Sequence, residues 1–462
     1  MPLDRGPAAC ALVILKRHCL VMSCCGAMRV ALTTLGSRGD VQPFVTLGYE
    51  LRSRGHEVRV AAPADYADIV AEASLDHVPL GGAPSEFLPG KPWDSLGAPD
   101  LTEKVRHTTS AVRLSRALHV LPQRPREDPL GLVPAIRTAT ADADVVVNAI
   151  LTRPVHLMTG DETPWAGLSG WPHATTGAFP AFGAPRLRLG STYNRLTYAV
   201  RSQLEWRWAR RAVNNHRQAA GLAPLGRVSP LRGLGVENPL FHPFSPSIMP
   251  PVRDWPENSH MTGFWFWDRP WHPPRDLARF VETGTPPVVL TLGSMWPIHR
   301  NFDLLRMVID SVTACGRRLV FVGEHEDGLP PHVFQIDEVD YSWLFPRSAL
   351  VIHHGGPGTM GDALRAGVPQ VAVPALVDQP FWARRMYEVG VAAAPVPLPG
   401  ITAENLHASI TVALSDVRLK RRAMQLSGYV QADRGVAAAA DLLEDWVDSR
   451  KSAPAPVARA GS

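Results

Sequence analysis

The chain of 462 residues twice alternates short apolar runs with amphipathic, helix-forming segments, and this alternation constrains its fold more than any other feature. Apolar runs of this kind, bounded by turn residues, are typical of buried parallel strands, and the segments between them supply helical crossovers. The alternation therefore predicts an α/β fold. The predicted strands lie at 29–35, 57–63, 144–151 and 164–170 in the first half and at 288–295, 318–324, 349–354 and 370–376 in the second.

Composition divides the chain into segments. Residues 244–262 are rich in proline and serine, which predicts a linker. We expect two Rossmann-like domains facing each other across a cleft: an N-terminal domain over 28–243 and a C-terminal domain over 263–449, whose last helix packs back on the first. Charges interrupt the apolar start of 1–27, which predicts a disordered extension or a misassigned start rather than a signal or a membrane span. The tail 450–462 is expected to be disordered.

Charge and cysteine content argue against several classes of function. The formal net charge is only +4, and no basic tract is interleaved with stacking aromatic residues, so nucleic acid is not expected as a partner. The spacing of the five cysteines fits neither a disulfide framework nor a zinc site, which suits a reducing cytoplasm. The basic segment 195–217, with Trp206 and Trp208, predicts a helix with a solvated arginine face; contact with a membrane surface is the alternative.

A glycine-rich loop, within the segment 351–369 (VIHHGGPGTMGDALRAGVP), follows a predicted strand. Its G-x-G-x-x-G spacing imitates a dinucleotide site, and Asp378 even stands where a ribose-binding acid would be expected. However, such a fingerprint belongs after the first strand of its domain, whereas at least three strands of its own half precede this loop. Gln379 directly follows Asp378, and the pair offers hydrogen-bonding groups that suit hexose hydroxyls. The loop therefore predicts an anion site at a helix N-terminus rather than an NAD site.

The residues around this loop allow two further predictions. Thr359 and Asp362 have the spacing of a capping box, so we expect Thr359 to be the helix N-cap. A histidine at this strand end can donate a hydrogen bond to a phosphate that leaves with extra negative charge. Of the two adjacent histidines, His353 is interpreted as a packed residue that the backbone satisfies.

Asp40 in LGSRGDVQP, after the first predicted strand, is the candidate catalytic residue. A carboxylate at the cleft end of a strand can act as a general base toward a group within hydrogen-bond reach. With Pro43 in the first turn after it, Asp40 also suits a helix N-cap, and residue chemistry alone leaves these two roles open. His173, after the fourth predicted strand, is an alternative base, which we interpret as a residue lining an acceptor pocket.

Segments 28–63, 244–266 and 343–392 together resemble nucleotide-sugar-dependent glycosyltransferases of the GT-B fold. The most similar groups are bacterial antibiotic glycosyltransferases, including the glycopeptide type, and sterol 3-beta-glucosyltransferases. The resemblance keeps the order of both halves and covers most of 28–445. One difference is Pro357, where the family usually has a small residue such as alanine; proline removes one N–H from the phosphate loop.

The resemblance implies that the domain over 28–243 binds the acceptor and that the domain over 263–449 binds the nucleotide sugar. It also implies roles for individual residues. Asp40 would act as the base, and the donor phosphates would meet Ser37, Ser294, His354 and the backbone of Gly356, Gly358 and Thr359. Asp378 and Gln379 would hold the sugar hydroxyls. The nucleoside would rest near residues 336–339, with Trp343 as a further wall.

The implied activity is that of an inverting hexosyltransferase that moves a hexose from a UDP- or dTDP-sugar to a hydroxyl of a lipophilic acceptor, such as a sterol or polyketide. Because no D-x-D motif stands at the expected strand ends, no metal and no other cofactor is expected. The alternatives are a nucleotide-sugar epimerase on the same fold and a non-catalytic sugar-nucleotide-binding auxiliary protein.

Overall fold

The computed structural model describes residues 26–81, 128, 131–230, 235–249, 252–296, 299, 302–375 and 378–452. The predictions for the extension 1–27 and the tail 450–462 lie almost entirely outside the described residues. Residues 82–127 and 129–130 also lie outside the described residues.

Two all-parallel sheets organise the described residues, which confirms the predicted α/β fold. The first has seven strands in the order β3-β2-β1-β4-β5-β6-β7, and the second has five in the order β10-β9-β8-β11-β12. The strands are β1 Arg29–Thr33, β2 Glu57–Pro63, β3 Asp76–Leu80, β4 Val145–Ala149, β5 Trp165–Leu168, β6 Leu240–His242, β7 Ser259–Met261, β8 Val288–Thr291, β9 Leu319–Val322, β10 Val333–Ile336, β11 Leu350–His353 and β12 Gln370–Ala372.

Thirteen α-helices connect or follow these strands within the described residues. They are α1 Arg38–Ser53, α2 Ala67–Glu72, α3 Leu132–Thr140, α4 Arg153–Thr159, α5 Gly190–Ala219, α6 Arg275–Glu282, α7 Leu304–Ala314, α8 Tyr341–Leu344, α9 Pro357–Arg365, α10 Gln379–Glu388, α11 Ala403–Ser415, α12 Val417–Ala432 and α13 Val436–Ser452. None of the helices in the described ranges combines the length and the apolar composition needed to cross a bilayer.

The central strands are apolar throughout because helices cover both faces of each sheet. Val145, Val146 and Val147 in β4 are fully buried, as are the first three residues of β11. Each sheet reverses its strand order once, between β1 and β4 in the first sheet and between β8 and β11 in the second. Parallel sheets bind ligands beyond the carboxyl ends of the strands at such a reversal. The topology thus provides two potential binding edges.

These two edges face each other. Arg38, just after β1, pairs with Glu338, just after β10, at 2.7 Å. The indole Nε1–H of Trp382 in α10 donates to the carbonyl of Gly170, which follows β5, at 3.1 Å. The cleft between the sheets is therefore bounded by loops at the carboxyl ends of both.

The chain crosses twice between the two sheets. β7 pairs with β6 in the first sheet, although it lies within the predicted linker 244–262. The sequence did not indicate this strand because three residues are too few to show a strand period. After α12 the chain returns, and α13 packs on the first sheet, where Leu443 is buried in the same core as β1 and α1. Arg54 holds this helix by hydrogen bonds to Asp441 and Glu444 at 2.7 and 3.0 Å. The last helix is thus an element of the N-terminal core.

Candidate active site between the two sheets

The sequence-predicted site residues lie at the two strand-order reversals. The Asp40 loop follows β1, and the His354 loop follows β11. Ser294 follows β8 in a 3-10 turn, Gly293–Met295. It emerges beside the histidine loop because Thr291 is in register with His353. Asp378 and Gln379 follow β12, the next strand. The topology therefore brings residues from distant parts of the chain to one cleft.

The β1 loop shapes the position of Asp40. Gly36 has a φ of +118°, and a Cβ at this position would overlap Asp40 Oδ2 and lie 2.8 Å from its Cγ. Ser37 is the N-cap of α1, and Asp40 is the third helical residue. The proposed N-cap role of Asp40 was therefore wrong by three positions. The helix begins earlier because Ser37, not Asp40, has the extended backbone of a cap.

Two hydrogen bonds fix the carboxylate of Asp40. The backbone N–H of Ser37 donates to Oδ2 at 2.8 Å, and the Ser37 hydroxyl donates to the same oxygen at 2.9 Å. Burial among the cleft loops raises the pKa of Asp40, and the two hydrogen bonds from Ser37 oppose that rise. A carboxylate with a raised pKa is a stronger base. Because both bonds reach Oδ2, Oδ1 is the oxygen that can receive a proton.

Asp378 is electrostatically coupled to Asp40 across the cleft. Burial, and then the negative charge of Asp40, raise the pKa of Asp378 to about 7. Two neighbouring carboxylates disfavour double ionisation. Around neutral pH Asp378 therefore exchanges between a protonated form, which donates a hydrogen bond, and a charged form, which only accepts.

Gln379 is bound to its own loop. Its side chain is 6% exposed, and its Oε1 accepts a hydrogen bond from the backbone N–H of Ala375 at 2.8 Å. This carbonyl oxygen thus fixes the turn between β12 and α10, for which Asp378 is the N-cap. The predicted contact of Gln379 with sugar hydroxyls stays a prediction. The structure shows in addition that the side chain bonds to Ala375 in its own loop.

His353 organises the glycine loop from inside. It is fully buried; its Nε2–H donates to Gln370 Oε1 at 3.0 Å, and its Nδ1 accepts from the backbone N–H of Gly355 at 3.2 Å. Burial lowers its pKa to about 4, against the opposing effect of the Gln370 bond, so the ring is neutral. His353 was expected to be a packed residue that the backbone satisfies. It is packed, but only Gly355 contributes a backbone partner, and the other partner is the side chain of Gln370.

His354 lies against the glycine loop. A Cβ on Gly356 would overlap His354 Nε2 and lie 3.1 Å from Cε1, so the imidazole packs on the glycine backbone. Its Nδ1 is buried without a hydrogen-bond partner among the described residues. Burial, together with His353 and His299, holds the pKa of His354 well below its usual value. A neutral ring retains one N–H, which can be donated to a phosphate oxygen without a charge on the imidazole.

The helix after the loop starts earlier than predicted. Gly356 is the N-cap of α9, Pro357 is the first helical residue, and Met360 N–H donates to the carbonyl of Gly356 at 3.0 Å. The expected cap at Thr359 was therefore wrong. Proline is favoured at the first helical position, where an N–H would have no intrahelical acceptor. The amides of Gly358 and Thr359 also lack intrahelical acceptors and carry the positive end of the helix dipole.

The remaining predicted residues follow the carboxyl ends of β10 and β5. Val339, after β10, is buried, and the ring of Trp343 packs on Trp271 with centroids 5.7 Å apart. The backbone N–H of His173 donates to His242 Nε2 at 3.2 Å. Burial, and then the charges of Arg201 and His242, lower the pKa of His173 well below its usual value. Such an imidazole is a weak base.

Groups of three or more His, Cys, Asp or Glu side chains that could hold a metal ion do not occur among the described residues. Sequence reasoning missed two contacts of the site. The Arg38–Glu338 pair and the Trp382–Gly170 hydrogen bond join parts of the chain more than 200 residues apart. Nothing local in the sequence indicates such pairs. The positive φ of Gly36, in contrast, could have been inferred from the sequence, because a glycine directly after a predicted strand is a recognisable sign of a tight turn.

Comparison with known proteins identifies both halves of the chain. Residues 30–114 match the glycosyltransferase family 28 N-terminal domain, and residues 308–442 match the erythromycin biosynthesis protein CIII-like C-terminal domain. The chain is 43% identical to O-mycaminosyltylonolide 6-deoxyallosyltransferase of Streptomyces fradiae over 434 residues, 93% of this chain and 100% of the relative. It is 28% identical to a sterol 3-beta-glucosyltransferase of Arabidopsis thaliana over 427 residues, 90% of this chain and 67% of the relative.

A solved structure shares the fold. The crystal structure of the glycotransferase of kitacinnamycin aligns with a TM-score of 0.65 at 21% identity and covers 91% of this chain and 100% of that one. The predicted family resemblance and the predicted two-domain fold are thereby confirmed.

Proposed function

Because the chain belongs to the antibiotic-type glycosyltransferases of the GT-B fold, we propose that it is an inverting hexosyltransferase, which moves a hexose from a UDP- or dTDP-sugar to a hydroxyl of a lipophilic acceptor. The observation that carries this proposal is the convergence of Asp40 and the His354 loop at facing strand-order reversals. The two curated relatives are named for transfer to O-mycaminosyltylonolide and to a sterol, which supports a bulky, largely apolar acceptor.

In the proposed reaction, Asp40 accepts the proton of the acceptor hydroxyl. The acceptor oxygen forms a bond to C1 of the sugar as the bond from C1 to the diphosphate oxygen breaks, with its electron pair leaving on the diphosphate. The hydrogen bonds from Ser37 keep Oδ2 occupied and so direct the proton to Oδ1. Attack from the side opposite the leaving group inverts the anomeric configuration.

The leaving diphosphate needs stabilisation of its developing charge. The N–H of neutral His354, the first-turn amides of α9 and the hydroxyl of Ser294 are the proposed donors, and preorganised donors of this kind act electrostatically. Asp378 is the proposed partner of the sugar hydroxyls. Gln379 holds the loop that carries Asp378, and we propose that it contacts the sugar as well. With these donors in place, we propose that transfer requires no divalent metal.

The test compares Asp40→Asn with the parent enzyme. Asparagine keeps a side-chain oxygen for the Ser37 N–H but cannot take a proton, so turnover should fall by about two or more orders of magnitude. Binding of the nucleoside diphosphate, measured by calorimetry, should change little. Near-parental turnover of Asp40→Asn would refute the role of the base.

Two measurements on the parent enzyme complete the test. The anomeric coupling constant in the proton NMR spectrum of the product should report inversion, and turnover should persist in excess EDTA. Retention of configuration, or loss of activity that Mg²⁺ restores, contradicts the mechanism. Consumption of the nucleotide sugar should also depend on an added acceptor. Conversion of the donor without an acceptor would instead indicate an epimerase. The absence of any turnover would indicate a non-catalytic auxiliary protein.

A further inference from the structure

The long helix α5 leaves an unusual apolar face in solvent. Five large apolar side chains between residues 187 and 204 are exposed, with relative exposures from 42% to 64%. They are Leu187, Leu189, Leu196, Val200 and Leu204. Three of them recur every four residues along α5, so they form one continuous stripe on the helix surface. This concentration is what distinguishes the face from scattered exposed apolar residues.

Arginines flank the stripe at both ends. Arg186 and Arg188 alternate with the leucines that precede α5, and Arg207 and Arg211 continue the exposed face toward its C-terminal half. None of these four arginines forms an ion pair with another described residue. The nearby acidic side chain, Glu205, is already paired with Arg201 at 2.8 Å. Within the part of the chain that the structure describes, the face therefore combines an apolar centre with arginines that have no ion-pair partner.

Trp206 packs in the core instead. Trp206 is 1% exposed and donates its Nε1–H to the carbonyl of Gly226 at 3.0 Å. The buried side of α5 also holds Ala209 and Val213 in the same core. The helix is thus fixed to the domain by one side while leucine, valine and arginine occupy the other.

We propose that this face, Arg186–Leu189 together with the stripe and arginines of α5, binds the surface of an anionic lipid bilayer. Leucine and valine side chains would enter the boundary between headgroups and acyl chains, and the arginines would meet the lipid phosphates. Charge complementarity favours this occupant, because a lipid surface that is apolar and negative at once matches an apolar centre with arginines that pair with no described acidic residue. Arg201 on the same helix lies close enough to His173 to affect its pKa, so a docked bilayer would adjoin the candidate acceptor pocket.

The experiment measures co-sedimentation of the full chain with vesicles of phosphatidylcholine and phosphatidylglycerol, and with phosphatidylcholine alone, at 0.15 M salt. We expect binding to the anionic vesicles only. One variant removes the stripe (Leu196→Ser, Val200→Ser, Leu204→Ser), and a second replaces the four arginines by glutamine. Each arginine near an anionic surface contributes roughly fivefold in affinity, so the second variant should bind more than tenfold more weakly.

A matched control carries Val412→Ser, Val417→Ser and Met424→Ser on the exposed surface of α11 and α12, where the side chains are at least as exposed. It should bind like the parent, and all variants should retain the parental circular dichroism and turnover of a water-soluble acceptor. Binding that is absent, or that survives either set of α5 substitutions, overturns the proposal. A parental dimer that the stripe variant converts to a monomer, without vesicle binding, would assign the face to a second copy of the chain and overturns it as well.

Discussion

Replacing Ser37 by alanine removes one of the two hydrogen bonds that reach Asp40 Oδ2 and leaves the other, from the backbone N–H, in place. A hydrogen bond to a charged group contributes about 1.5–3 kcal/mol. Because Asp40 borders an open cleft, we take the lower end, close to the roughly 1.4 kcal/mol that corresponds to one pKa unit. The hydroxyl stabilises the carboxylate, so its loss raises the pKa of Asp40. The base is active only when deprotonated, and Ser37→Ala should therefore need a higher pH.

The assay is the pH profile of kcat/KM, which reports the base in the free enzyme. The acid limb should move up by about one pH unit, and Ser37→Thr, which keeps a hydroxyl, should restore it. Ser53→Ala is the matched control, since Ser53 lies at the other end of α1 and donates to the carbonyl of Glu50 at 2.7 Å. A profile that superimposes on the parental one refutes the reasoning. A raised KM for the donor without any shift would instead support the predicted contact of Ser37 with the phosphates.

Three further changes have defined outcomes. Asp40→Asn removes a negative charge that helps to raise the pKa of Asp378 to about 7, so Asp378 should ionise at lower pH. The pH dependence of nucleotide-sugar affinity should therefore move to lower pH. The affinity for the nucleoside diphosphate, measured in parallel by calorimetry, should not show this shift. His354→Ala should weaken nucleoside diphosphate binding at least tenfold and leave the acceptor KM unchanged; equal calorimetric affinity would contradict its role. Arg54→Ala leaves the carboxylate of Glu444, 8% exposed, with His56 as its remaining partner. It should destabilise the protein by about 2 kcal/mol in thermal unfolding, a loss that adding Glu444→Gln should partly reverse.

The sequence was sufficient for the central strands of both sheets. Runs such as Val145–Ala149 are buried on both faces and need no tertiary information to be recognised. The strands β3, β6, β7 and β10 escaped prediction. Two of them have only three residues, too few to establish a period, and β3 and β10 lie at sheet edges.

The sequence predicted where the candidate site residues lie in the fold, but it did not predict where the helices after them begin. The residues at strand ends could be chosen because parallel strands deliver their following loops to one edge. The helix starts could not, because capping preferences are shared by several nearby residues. Ser37 and Asp40 are both good caps by type, and the structure places the serine at the cap and uses its hydroxyl to hold the aspartate. Which of them points into the cleft depends on Gly36 and on the facing domain.

The double crossing of the chain limits how the cleft can open. The two crossing segments touch: Gly263 lies against Asp433, and Gly435 lies against the carbonyl of Phe264. Two bodies joined by a single tether can tumble in three independent directions, whereas two tethers side by side leave mainly one axis of rotation, through the point where they meet. Opening about that axis separates the Asp40 loop from the His354 loop while keeping them aligned. In the proposed mechanism, a donor bound beside the His354 loop would then be returned to the same place opposite Asp40 each time the cleft closes.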